Sequence, residues 1–378
     1  MRIGLNLLYL IPKMNEGGTA VYALKLIRAL AKIDRSNEYF IFLNQESAGL
    51  KLTEAANFQH VVCPFRATQR VIRYCWEQLV LPFQCWRYKI DLLHSLGCVG
   101  PLLCHCGSIV TVHDANFVAL GECMTWVRRI GLGFFVRRSA SGADKVITIS
   151  EFSRAELRRE LRIPSGKLEV VHHGPGWDFT GIRSSPWSEV RDKYGLPKRY
   201  LLAYGSLSPH KNIVRLVASF EQACQDLPHG LVILGHLPKE LEPLSRFATP
   251  AFGHRVLALG YVSSEELFPL LSNAELFVFP SLYEGFGLPI LEAQQAGVAL
   301  ACSTAGSLPE VAGQAAIFFD PRSVTSMANA IRRALNDSDL RRSLQELGRE
   351  NLKRFSWTKA ATETLAIYEE VHRTRGRV

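Results

Sequence analysis

Short apolar runs rich in β-branched residues alternate with stretches of helical periodicity along almost the whole chain. That alternation restricts the fold more than any other feature. Strands of this kind bury both faces, so they belong in parallel sheets whose crossovers are helices. In the first half, strands are expected at Arg2–Leu7, Tyr39–Leu43, His60–Pro64, Asp91–His94, Ile109–His113, Lys145–Ile149 and Leu168–Val171. Helical periodicity fits Thr19–Ile33, Arg70–Tyr88, Met124–Ser141 and Glu151–Leu161, the last with Ser150 at its cap. Gly and Pro then cluster from His172 to Pro186 and the periodicity lapses. A second series follows, with strands at Tyr200–Tyr204, Leu231–Leu234, Val256–Leu259, Leu276–Phe279, Val298–Cys302 and Ile317–Phe319. Its helices fit Ile213–Gln225, Ser264–Asn273, Pro289–Gln295 and Val324–Leu335. Each series is long enough for its own sheet, and 378 residues exceed one typical core. The expected architecture is α/β, with two doubly wound domains facing across a cleft. Residues 1–175 form the first domain, 176–195 a linker, 196–355 the second domain and 356–378 a terminal segment.

Bulk properties narrow the function. The chain is 47% hydrophobic and 21% charged, an ordinary globular composition. No apolar run reaches the roughly 18 residues of a membrane span. The opening MRIGLNLLYLIP carries only Arg2 as a basic residue and no cleavage site, so it reads as a buried strand and the expected location is cytoplasmic. Residues 1–185 hold 23 Lys and Arg against 15 Asp and Glu, whereas 186–378 hold 21 against 20. The net +9 is therefore concentrated in the first half. No nucleic-acid-binding signature accompanies it, so an anionic acceptor or the inner face of the plasma membrane is the expected partner. Val71–Tyr88, with Arg70 and Lys89 at its two ends, mixes Arg73 and Arg87 with aromatic residues, which suits either an interfacial helix or one packed on its own sheet. The nine cysteines lack disulfide spacing. Cys104-His105-Cys106, with His94 and Cys98 nearby, lacks the paired C-x-x-C of structural zinc, and no metal is expected.

Three segments carry the chemistry. In Phe279-Pro280-Ser281-Leu282-Tyr283-Glu284-Gly285-Phe286-Gly287-Leu288-Pro289, a strand ends, a glycine loop turns and Pro289 opens a helix. Gly285 and Gly287 allow close backbone approach, and the helix N-terminus favours an anion such as a diphosphate. Glu284 and Glu292, eight positions apart, frame that element, and a carboxylate beside a phosphate is suited to accept hydroxyl hydrogen bonds. In Tyr204-Gly205-Ser206-Leu207-Ser208-Pro209-His210-Lys211-Asn212, Lys211 is a counter-charge for a leaving diphosphate at a strand's carboxyl end. In Val110-Thr111-Val112-His113-Asp114, His113 ends an apolar strand, where a hydrogen-bonded core histidine is the commoner outcome. Glu16-Gly17-Gly18-Thr19 opens a helix after the first strand and is a weaker phosphate or sugar contact.

Taken together, these segments resemble glycosyltransferase family 4, retaining enzymes built from two Rossmann-like domains in the GT-B architecture. Glu284 to Glu292 looks like that family's E-x7-E element. VTVHDANF, VITISEFSRAEL, GSLSPHKN, GYVSSEEL and SLPEVAGQAAIFFDP around Glu310 follow in the family's order over almost the whole chain. The nearest flavour is that of bacterial mannosyltransferases of surface-polysaccharide assembly. The resemblance implies that His113 and Glu284 act at the donor sugar, Glu292 on the ribose hydroxyls and Lys211 on the pyrophosphate. It gives the amides of Gly285, Phe286, Gly287 and Leu288 to sugar hydroxyls or phosphate. Val262 touches the base through its backbone, and Gly17, Gly18, Gly205, Ser206 and His210 complete the donor contacts. The implied substrates are a nucleotide-diphosphate sugar, with mannose the first expectation, and a glycan or lipid-linked acceptor; no cofactor and no nucleic acid are expected. Trp357–His372 is implied to cross back onto the first domain. Ser206 and His210 stand where many relatives carry arginine, which leaves Lys211 with more of the diphosphate charge.

Two other activities remain open at this level: a nucleotide-sugar epimerase of the same shape, and a catalytically silent assembly scaffold. A dehydrogenase is disfavoured because no G-x-G-x-x-G follows the first strand. Asp337-Ser338-Asp339 spells the D-x-D of metal-dependent sugar transferases, but its position before LRRSLQELG reads as a helix cap.

Overall fold

The computed structural model describes residues 1–12, 17–115, 126–177, 179, 184–237 and 255–376. Glu16, Asn116, Phe117 and Met124, which belong to expected motifs or elements, lie outside the described residues, as do 178 and 180–183 of the expected linker. The chain divides into two compact units, Met1–Gly174 with Phe355–Val378, and Pro175–Arg354.

The first unit holds a seven-stranded sheet. Its strands are β1 (Arg2–Asn6), β2 (Glu38–Leu43), β3 (Phe58–Val62), β4 (Leu92–Ser95), β5 (Gly107–Thr111), β6 (Lys145–Thr148) and β7 (Leu168–Val170). Their order is β3-β2-β1-β4-β5-β6-β7 and every pairing is parallel. Ile3, Leu5, Ile41 and Leu92 are fully buried, as the apolar runs require, under Tyr22, Leu26 and Leu30 of the helix Gly18–Ile33. The same core takes in Ala360, Ala361, Ile367, Tyr368 and Val371 from the last helix, Trp357–Arg375.

The second unit holds a six-stranded sheet of β8 (Tyr200–Gly205), β9 (Gly230–Gly235), β10 (Val256–Gly260), β11 (Leu276–Phe279), β12 (Leu300–Ser303) and β13 (Ile317–Phe319). The order is β10-β9-β8-β11-β12-β13, again wholly parallel. Both sheets are therefore doubly wound. Strand order reverses between β1 and β4 in one and between β8 and β11 in the other, where ligands of such folds bind.

Several elements differ from the sequence expectation. The single helix expected over Arg70–Tyr88 is three pieces: helices Arg70–Cys75 and Leu81–Arg87 joined by a π-helical turn, Trp76–Val80. Pro82 lacks the N–H that would bond back to residue 78 and its ring crowds that carbonyl, so the register widens there. Inside the stretch expected as a linker, Trp187–Tyr194 is a helix opened by Pro186 and closed at Gly195, whose φ is 59°. Helices Leu308–Ala312 and Ser338–Leu352 were not anticipated from periodicity. Strand β5 stops at Thr111, so His113 lies in the loop beyond it.

Candidate functional site

In the second unit, two loops leave the carboxyl ends of the neighbouring strands β8 and β11 and are tied to each other. The Leu282 amide donates to the His210 carbonyl at 2.7 Å. Asn212 adopts the left-handed region at φ 61° and is buried, and its side-chain amide donates to the carbonyls of Pro280 (3.0 Å) and Pro321 (2.7 Å). Asparagine tolerates that conformation better than most residues, which explains its place after the Pro209–Lys211 turn. The ties bring the Lys211 ammonium to 2.6 Å from Glu284 Oε1. Both side chains are mostly buried, so the pair is stronger than a surface ion pair and fixes both heads.

The loop from Glu284 to Gly287 is held from below. The Ser307 amide donates to the Glu284 carbonyl at 3.1 Å, and the Ser307 hydroxyl lies 3.0 Å from that carbonyl and 2.9 Å from that of Phe286. Gly287 has φ 99° and its missing Cβ would sit 2.7 Å from Leu308, so only glycine fits. The helix Leu288–Gln295 starts on the next residue with Pro289 in its first turn, which aims the N-terminal dipole at the loop. One helical turn further in, Glu292 is buried, and burial pushes its carboxyl up to about 7 against the pull of the neighbouring Tyr204 hydroxyl. A Cβ on Gly176 would come within 2.6 Å of Glu292 Oε1, so the chain entering the second unit passes against this carboxylate.

Gly205, Gly235 and Gly260 end the adjacent strands β8, β9 and β10 on the same edge of the sheet. A Cβ on Gly205 would lie 2.8 Å from the His236 carbonyl, which requires glycine there too. In the turn that follows β8, the Ser206 hydroxyl accepts the Ser208 amide at 3.2 Å. Burial, with Lys211 beside it, lowers the His210 pKa and disfavours its cationic form. Val262 lies past the end of β10, half-buried, just before a helix whose start Ser263 and Glu266 cap reciprocally.

The first unit holds the remaining candidates. Gly17 caps the helix Gly18–Ile33 without a side-chain acceptor. His113 is buried and its Nε2–H donates to the Leu96 carbonyl at 3.4 Å, and burial lowers its pKa to about 4. It is therefore a neutral imidazole at pH 7 with Nδ1 as the acceptor. Its ring meets Tyr22 edge-on at 4.8 Å, and Tyr22 stacks on His173 at 4.9 Å. Tyr22 also hydrogen-bonds Thr111 at 2.9 Å, and Thr111 bonds His94 at 2.7 Å. So His113 sits in a packed aromatic and polar network, as a core histidine does.

Of the expected residues, the structure joins Lys211 to Glu284 directly and places His210 and Gly285 to Gly287 on the same two loops, with Leu288 opening the helix that follows. Sequence reasoning missed Tyr204, Asn212, Ser307 and Gly176. Tyr204 and Asn212 stand in the segment that carries Lys211, and Ser307 opens SLPEVAGQ, but no role was assigned to them; the Gly-Pro-Gly run around Gly176 reads equally as linker. Asp337-Ser338-Asp339 is a cap, the Asp337 carboxylate accepting the Leu340 amide at 2.8 Å. Among the described residues, no helix is long and apolar enough to cross a membrane.

Residues 16–174 match the family described as Glycosyltransferase Family 4, and residues 188–351 match that described as Glycosyl transferases group 1. O-antigen chain mannosyltransferase B of Escherichia coli is 30% identical over 266 residues, covering 69% of this chain and 70% of that protein. The MMP alpha-(1->4)-mannosyltransferase of Mycolicibacterium hassiacum is 40% identical over 306 residues, covering 75% of this chain and 71% of that protein. Anabaena HepE in complex with UDP and glucose matches 98% of this chain and 100% of its own at TM-score 0.72 and 17% identity, a likeness of fold. Two doubly wound sheets, loops joined by Lys211 and Glu284, and relatives of this extent lead to one conclusion: the chain is a GT-B glycosyltransferase and belongs to glycosyltransferase family 4.

Proposed function

We propose that the protein transfers a hexosyl group, mannose first, from a nucleotide-diphosphate sugar to a glycan or lipid-linked acceptor of a cell-surface polysaccharide, with retention of anomeric configuration. The observation that carries this reading is the Lys211–Glu284 pair at 2.6 Å, set where strand order reverses and beside a helix N-terminus. A cation and a helix dipole suit a diphosphate, and a carboxylate within reach suits sugar hydroxyls. Both relatives described above are named as mannosyltransferases, which supports mannose as the sugar. The likeness to a fold solved with UDP and glucose supports a nucleotide-sugar donor.

In the proposed reaction the bond from the anomeric carbon to the diphosphate oxygen breaks and a bond to the acceptor oxygen forms on the same face. The acceptor's hydroxyl proton passes to the departing diphosphate. Lys211 and the amides of Gly285, Phe286, Gly287 and Leu288 stabilise the charge that develops on that diphosphate. Glu284 holds the sugar, and Glu292 accepts the ribose hydroxyls from beneath. His113, neutral and with Nδ1 as acceptor, contacts the sugar near the reacting carbon. Val262 offers backbone groups to the base, and Gly17, Gly18, Gly205, Ser206 and His210 line the donor. No metal takes part, since Lys211 and the helix dipole supply the positive charge. The location is cytoplasmic, with the first unit resting on the anionic inner face of the membrane. Val71, Leu79, Phe83 and Trp86 are exposed beside Arg70 and Arg87, which supports that contact.

A thermal-shift screen of GDP, UDP, dTDP and ADP sugars without metal tests the reading, run in parallel on Lys211→Ala. The expected result is a rise in melting temperature with one nucleotide family, GDP-mannose first, absent in the variant. Transfer by the variant should fall roughly 100-fold or more, as when one charge-stabilising donor is removed. A variant that binds and transfers as well as the parent would overturn the role of Lys211.

A further inference from the structure

Away from the donor loops, three thiols converge in the first unit. Cys85 lies on the buried side of the helix Leu81–Arg87, and Cys104 and Cys106 bracket the exposed His105 just ahead of β5. The three sulfurs all lie within 4.8 Å of one another, with those of Cys104 and Cys106 3.1 Å apart. All three are free thiols; Cys85 and Cys106 are buried and Cys104 is half-buried. Leu8, Phe42, Leu81, Ile90 and Leu93 pack around them as an apolar wall. A thiol is a weak hydrogen-bonding group, so packing alone would be served by alanine or valine at these positions. Convergence of three sulfurs from two separate elements requires another reason.

We propose that Cys85, Cys104 and Cys106 form a three-thiolate site for a thiophilic metal ion of the zinc class. Tetrahedral zinc with bonds of about 2.3 Å holds its sulfurs about 3.8 Å apart. The observed spacings, 3.1 Å for one pair and no more than 4.8 Å for any, bracket that value, so small side-chain rotations close the site. The fourth position is taken on the exposed side of Cys104 by water or the His105 imidazole. Each thiol gives up its proton as the metal binds, and the apolar wall shields the resulting bonds from water.

The other nitrogen and sulfur groups nearby in sequence are committed elsewhere. His94 is bonded through both ring nitrogens, to Tyr368 at 2.6 Å and Thr111 at 2.7 Å. Cys98 sits beside His113. The thiol loop is instead held by the last helix: Arg375 donates to the His105 carbonyl at 3.3 Å and to Asp144 at 3.2 Å. A bound ion would therefore clip the helix Leu81–Arg87 to the loop that the C-terminal helix supports, a structural role independent of sugar transfer.

The test is cobalt titration of the full chain, reduced and freed of metal with a chelator, read by thiolate-to-cobalt absorption. The expected result is one equivalent bound, displaced by zinc, with zinc also raising the melting temperature. Cys104→Ser, at the half-buried position, should lose the absorption and the zinc-dependent rise while keeping its fold by circular dichroism. Cys63→Ser, a thiol of the same apolar cluster outside the trio, should keep both. Absence of the band in the parent, its survival in Cys104→Ser, or recovery of a Cys104–Cys106 disulfide with no zinc uptake would each overturn the proposal.

Discussion

Glu292 illustrates how a single residue reports on both fold and function. Its carboxyl is buried under Tyr204 and Gly176, and burial holds its pKa near 7 where an unfolded chain would have about 4.3. The folded state therefore binds the extra proton between those values, and its stability falls as pH rises through that window. The effect is fully expressed once pH passes about 7 and amounts to roughly 3 kcal/mol. Glu292→Gln should therefore gain on the parent between pH 5 and pH 8 when melting temperatures are compared. Glu77, pushed to about 7 by its own burial, adds a trend of the same sign to both proteins and cancels in the comparison. A difference that does not change with pH would show that Glu292 is not the buried acid described. Lys211 and Glu284 were legible as residues because their surroundings, glycines and a strand end, are local. That they meet at 2.6 Å was not, since 73 positions separate them.

Elements were legible in proportion to the regularity of their pattern. Among the described residues, all thirteen strands fall where the apolar runs stand, to within a few residues, and most do so because a central parallel strand is a continuous apolar segment. The helix Ser338–Leu352 escaped because its buried side is narrow: only Leu344, Gly348 and Asn351 are buried. Its cap was nevertheless visible. Asp337→Ala should cost about 1 kcal/mol, since the Leu340 amide loses its acceptor. Transfer activity should be unaffected and should not acquire metal dependence. A large activity loss without unfolding would return Asp337-Ser338-Asp339 to the chemistry. The π-helical turn at Trp76–Val80 was half-legible: Pro82 announced an interruption, while the widened register itself left no mark in the periodicity.

At the scale of the whole molecule, the last helix belongs with the first unit although it follows the second in sequence. Tyr368 bonds His94, Trp357 stacks on His173 at 5.4 Å, and Ile367 and Val371 complete the core. Each large side chain removed from that core costs about 1.5–3 kcal/mol, so deleting 355–378 should abolish the cooperative transition of the first unit. Among the described residues, the second unit's cluster around Leu201, Ile233 and Met327 takes no residue from that helix, so its transition should persist in the same calorimetric scan. Two unchanged transitions would mean that the helix only decorates the surface.

The amino-acid sequence by itself determined the fold class, the strand positions and the chemical types in the donor loops. Those are consequences of local pattern: apolar period, glycine freedom and proline at helix starts. Only the tertiary structure decided which groups meet. It paired Lys211 with Glu284, held Glu284 through Ser307, set Glu292 against Gly176 and gathered Cys85 with Cys104 and Cys106. Such meetings depend on strand order and loop closure across tens of residues, and no periodicity along the chain encodes a distance between its parts.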